Sequence, residues 1–102
     1  MDGFVKVATL GDLKEGATLT VDVNGTAVAL FNVGGTVHAI TNMCAHRGGP
    51  LGEGTLQGST VVCPWHAFEF DVTTGECRTN PALRVACFEV RVEGQDIFIR
   101  PS

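Results

Sequence analysis

Two short segments set the terms for everything else in this chain: Cys44-Ala45-His46 and, after sixteen intervening residues, Cys63-Pro64-Trp65-His66. Each supplies one thiolate and one imidazole, so a fold that serves both must bring two loops together around one centre. Four such donors suit two kinds of metal site. One is a [2Fe–2S] centre in which two histidines replace two cysteines on one iron. The other is structural zinc, for which Cys2His2 is also a tetrahedral donor set. Zinc pairs are typically spaced C-x2–4-C and H-x3–5-H, whereas both pairs here are mixed, and the spacing favours iron.

The donor types fix the chemistry such a centre performs. Two ferric ions, two sulfides and four thiolates sum to a net charge of about −2, and exchanging two thiolates for neutral imidazoles brings it to about zero. A neutral cluster accepts an electron more readily, and that electron should settle on the imidazole-bound iron. Each imidazole keeps a second ring nitrogen that can hold a proton, so the potential is expected to fall at alkaline pH. Arg47-Gly48-Gly49-Pro50-Leu51-Gly52 follows His46 and lets backbone approach a cluster closely, while Pro64 stiffens the second loop. Trp65 suits either shielding the centre or docking. Arg47, Pro50, Leu51, Ala67 and Phe68 read as the apolar rim a partner meets.

The remaining residues describe the scaffold. Leu19, Val21 and Val23 alternate with Thr18, Thr20 and Asp22, and Asn24-Gly25 follows as a hairpin signal. Ala27 to Phe31 is apolar on both faces and is expected to be a central strand. Gly34-Gly35 turns into a third strand, Thr36 to Thr41, which leads into the first ligand loop at Asn42. Ser59 to Val62, Ala67 to Asp71, Ala86 to Val92 and Asp96 to Arg100 read as further strands, and Phe4 to Ala8 as an edge strand. About nine short strands without a long helix imply an all-β domain of stacked sheets or a barrel-like sandwich.

Composition narrows the function classes. The 102 residues make one domain, 1–102, with a net charge of −4, which argues against nucleic acid and for partners with basic docking patches. No apolar run reaches membrane-spanning length, and Met1-Asp2-Gly3-Phe4 lacks a signal-like start, so a soluble cytoplasmic protein is expected. Cys77 and Cys87 lack ligand spacing and read as ordinary thiols. His38 is the one histidine outside the two segments. A mononuclear oxygenase iron needs two further histidines and a carboxylate, so the chain is not itself a complete oxygenase.

On these residues the chain resembles the Rieske family. The pattern is C-x-H-x16-C-x2-H, with Arg47-Gly48-Gly49-Pro50-Leu51 after the first histidine and Phe70-Asp71-Val72-Thr73-Thr74-Gly75 after the second. It is most similar to the soluble Rieske-type ferredoxins of bacterial ring-hydroxylating oxygenases, over essentially its whole length. The resemblance implies a Rieske iron–sulfur fold: an antiparallel β-sandwich with a small rubredoxin-like cluster-binding subdomain at about residues 42–71. It implies one [2Fe–2S] cluster, with Cys44 and Cys63 on one iron and His46 and His66 on the other. A loop containing Pro81 either forms a third wall beside the cluster or is an ordinary connection. Quinol-oxidising relatives tie the two loops by a disulfide, at positions that here hold Gly49 and Trp65. They also bond sulfur with a serine and a tyrosine hydroxyl, where this chain has Phe68 and Phe70. The expected potential is therefore low, roughly −150 mV rather than about +300 mV.

The function this implies is a monomeric one-electron carrier that is not an enzyme. It would take electrons from an NADH-dependent flavoprotein reductase and pass them to a terminal aromatic-ring dioxygenase. The alternative is a Rieske subunit or carrier of a di-iron monooxygenase or nitrite reductase complex.

Overall fold

The computed structural model describes residues 3–23, 25–42, 51–64, 68–80 and 82–100. Nine strands occur among them: β1 Val5–Thr9, β2 Thr18–Val23, β3 Thr26–Val33, β4 Thr36–Thr41, β5 Thr55–Gln57, β6 Thr60–Val62, β7 Glu69–Asp71, β8 Cys87–Glu93 and β9 Asp96–Arg100. Two 3-10 turns, Leu10–Asp12 and Leu51–Glu53, complete the regular structure. All strand pairs are antiparallel. Six strands form one sheet in the order β1-β9-β8-β4-β3-β2, and β5-β6-β7 form a second, smaller one.

The large sheet curls so that β1 at one end meets β2 at the other. Inside the curl lies a core of Ala8, Leu13, Val23, Val28, Leu30, Val37, Ala39, Ile97 and Ile99. The meander β2-β3-β4 follows from the alternation in the sequence, and Gly25 at φ +85° supplies the left-handed backbone that its first hairpin requires. β3 is paired along both edges and buried on both faces, which is what its apolar run predicts. Its position is one strand in from β2, not the middle of the sheet. Val28 and Leu30 face the curl, whereas Ala29 and Phe31 point the opposite way into a second core.

That second core joins the two sheets. Ala29, Phe31 and Ile40 from the large sheet pack with Leu51, Val61, Cys63, Phe70, Val72, Cys77 and Val85. β5 escapes the sequence reading because Thr55 and Gln57 are exposed and only Leu56 is half-buried, too little pattern for a strand. Ala86, expected to open the penultimate strand, precedes β8, and Arg84 before it is bridged to Glu76.

Candidate metal centre

Each candidate ligand segment is bracketed by a hydrogen-bonded neck. The first begins at Asn42, just past β4, whose N–H donates to the Ala27 carbonyl (3.0 Å). The Asn42 carbonyl accepts the Leu51 N–H at 2.7 Å, and its side-chain Oδ1 accepts the Gly52 N–H at 2.6 Å. The Thr18 hydroxyl donates to the Gly52 carbonyl (2.7 Å), and the Thr20 hydroxyl to Asn42 Oδ1 (3.4 Å). Two bonds thus close the chain on either side of residues 43–50, and β2 buttresses the closure. At the second neck the Cys63 N–H donates to the Phe68 carbonyl at 2.7 Å, bracketing residues 64–67.

The necks stand side by side. Leu51 and Cys63 belong to the same core. Gly54, three residues beyond the first neck, lies so close to the Val62 carbonyl that a Cβ there would overlap it. β5 then pairs with β6 in a register that sets Thr55 opposite Val62, the residue before Cys63. A third segment is laid along β7: the Arg78 N–H donates to the Glu69 carbonyl (2.7 Å), the Asp71 N–H to the Glu76 carbonyl (2.8 Å), and the Glu69 N–H to the Thr79 hydroxyl (3.0 Å). Cys77 Sγ accepts the Asn80 N–H at 3.3 Å, and Asn80 Oδ1 accepts the Ala82 N–H at 3.1 Å.

Of the four ligands expected from the sequence, Cys63 falls within the described residues; Cys44, His46 and His66 lie outside them, as do Arg47, Pro50, Trp65, Ala67 and Pro81. Cys63 is 1% exposed among apolar neighbours. A thiolate removed from water needs a compensating positive charge, and ferric iron supplies one. A cluster of near-zero net charge also suits an apolar setting better than an all-thiolate one. The residues present therefore fit the group. Phe70 is fully buried and Phe68 half-buried, so aromatic hydrocarbon occupies both positions where hydroxyls were expected to be missing.

Other sequence candidates separate from this centre. Cys77 is a buried free thiol and Cys87 an exposed one. Burial pushes the Cys87 thiol up, as does Asp71, against the opposing charge of Arg84. His38 is half-buried on β4, paired with Phe31 of β3, and shares an open groove with Thr73 and Cys87. Among the described residues no group of three or more His, Cys, Asp and Glu side chains could hold a metal, and no helix is long and apolar enough to cross a membrane.

Asn42, Thr18 and Asp71 carry the framework, although the sequence reading gave Thr18 and Asn42 no role at the site and quoted Asp71 only within the Phe70–Gly75 run. Burial raises the Asp71 carboxyl, but the Thr73 hydroxyl (2.5 Å), the Thr73 N–H (2.8 Å) and the Arg78 guanidinium (3.0 Å) outweigh it and hold the group below the usual carboxylate range. The Asp-x-Thr spacing of a side-chain turn was the available signal for Asp71.

The sequence profile of the Rieske [2Fe-2S] domain matches residues 3–89. The chain belongs to the Rieske [2Fe–2S] family. The cofactor of this Rieske protein is accordingly one [2Fe–2S] cluster. Among its relatives, the 3-phenylpropionate/cinnamic acid dioxygenase ferredoxin subunit of Shigella boydii is 41% identical over 92 residues, covering 88% of this chain and 86% of that one. The ferredoxin of carbazole 1,9a-dioxygenase from Nocardioides aromaticivorans superposes with a TM-score of 0.92 at 36% identity, covering 99% of this chain and 100% of that one. A chain in the complex of reduced oxygenase and oxidised ferredoxin of carbazole 1,9a-dioxygenase superposes with a TM-score of 0.89 at 29% identity, covering 98% and 94%.

Proposed function

We propose that this Rieske protein is the ferredoxin component of a ring-hydroxylating dioxygenase system: a soluble, cytoplasmic, monomeric one-electron carrier. It takes electrons from an NADH-dependent flavoprotein reductase and hands them to a terminal aromatic-ring oxygenase. The observation that carries this reading is the match to a dioxygenase ferredoxin along 99% of this chain and 100% of that one. That a relative is seen in complex with its oxygenase supports the partner.

Cys44 and Cys63 are proposed as the thiolate ligands of one iron, and His46 and His66 as the imidazole ligands of the other. The bound cluster supplies the uptake and release of a single electron. The protein's own residues do the rest. Cys63 offers its sulfur from a site closed to water, and Leu51, Val61 and Phe70 pack in the same core. Phe68 and Phe70 have no hydroxyl to donate to sulfur, which supports a potential near the low end of the family range, roughly −150 mV. His38, on β4, is the one histidine of this sequence outside the two ligand segments, fewer than the two that a mononuclear oxygenase iron takes.

The test is an EPR-monitored redox titration of anaerobically purified protein. The expected result is a reduced-cluster signal titrating near roughly −150 mV. A strongly positive midpoint would overturn the low-potential assignment and point to a quinol-type partner. No signal from metal-loaded protein would point to zinc and overturn the carrier.

A further inference from the structure

The first neck carries more than chain reversal, and we infer that Asn42 is a positioning residue for the cluster, holding the Cys44–His46 segment by clasping its two ends. This rests on the proposed function above and concerns how the same centre is held. Asn42 stands two residues before Cys44 and contributes two acceptors to one closure. Its main-chain carbonyl takes the Leu51 N–H at 2.7 Å, and its side-chain Oδ1 takes the Gly52 N–H at 2.6 Å. Any asparagine substitute keeps the first bond; only the side chain supplies the second.

Three neighbouring features are built around that side chain. Gly52 has no room for a Cβ, which would run into the Thr20 hydroxyl and Asn42 Oδ1. Thr18 fixes the far side of the Gly52 peptide by donating to its carbonyl at 2.7 Å. Thr20 donates to the same Oδ1 that Gly52 uses, at 3.4 Å. The clasp therefore ties the ligand segment to β2, a strand 22 or more residues away in sequence. The Gly52 N–H is at a buried residue, so losing its acceptor leaves a donor without solvent to replace it.

The experiment compares the rate of cluster release under mild chelation, and the reduced EPR spectrum, across four holo variants. Asn42→Ala removes the acceptor and should release the cluster about tenfold faster than the parent, the factor expected for one unsatisfied buried donor. Asn42→Asp keeps an acceptor oxygen at the same place and should retain the cluster at close to the parental rate. Its added negative charge should lower the midpoint potential. Thr18→Val, which removes the brace on the Gly52 carbonyl and leaves Asn42 intact, should speed release about threefold and stands in if Asn42→Ala fails to fold. Ile97→Val lowers overall stability from the other core and should leave cluster release unchanged.

Release from Asn42→Ala at the parental rate overturns the inference, and so does Asn42→Asp releasing as fast as Asn42→Ala. Equal acceleration by Ile97→Val would reduce the clasp to general stability and overturn it as well. A parent without the Rieske EPR signal would overturn the functional reading, and this inference with it. A parent with the signal and variants indistinguishable from it would overturn the inference alone.

Discussion

Asp71 sits where β7 leaves the second ligand segment and meets a tight turn, and its carboxylate gathers the Thr73 hydroxyl, the Thr73 N–H and Arg78. Folding lowers its pKa, so the charged form stabilises the fold at every pH above the unfolded value, and that contribution fades as pH falls through the folded value. Asp71→Asn should cost about 1 kcal/mol at neutral pH, a modest figure because Arg78 is half exposed and screened. The variant should also flatten the acid limb of stability. Urea unfolding at pH 7 and at pH 3 checks this: the gap between parent and variant should shrink at the lower pH. At this scale four ligands could be proposed from the sequence because coordination demands particular atoms at short, fixed spacings. The groups that hold their segments were not. Thr18 reaches Gly52 across 34 positions, and nothing in a threonine on an alternating strand announces that partner.

The small sheet is where elements decide the site. Phe70 on β7 is fully buried, lies opposite Val61, and is bridged to Cys77. Phe70→Ala should cost about 3–5 kcal/mol through the cavity it leaves, measurable as a lower urea midpoint, and iron per chain should fall with it. Gly54→Ala tests the approach of the two necks more selectively. A methyl there meets the Val62 carbonyl and should push β5 off β6. The expected outcome is reduced iron content with the far-UV spectrum of the large sheet kept. Unchanged iron loading would mean the necks tolerate separation. Strands with strong alternation, such as β2, and strands apolar on both faces, such as β3, were legible in the sequence. β5 was not, since three residues with one half-buried side chain hold no periodicity. The range of the second core was hidden too, because Val72, Cys77 and Val85 join it from outside any long strand.

For the whole molecule, a net charge of −4 sets the terms of encounter with partners. The second-order rate of electron delivery to the cognate oxygenase should fall as ionic strength rises through the physiological range, with a Debye length near about 8 Å at 0.15 M. Stopped-flow mixing of the reduced carrier with oxidised oxygenase across a salt series would show it. A flat or rising profile would indicate that the encounter is not steered by opposite charge. One further consequence concerns portability. Ala29, Phe31 and Ile40, which belong to the large sheet, form part of the wall against which Leu51, Cys63 and Phe70 pack. The proposed metal-bearing unit is therefore a tenant of its scaffold. Excised and grafted as residues 42–71 into a foreign host, it would arrive with an oily flank uncovered. An engineer seeking to transplant the redox centre must carry β3 and β4 along with it or furnish an equivalent landing surface.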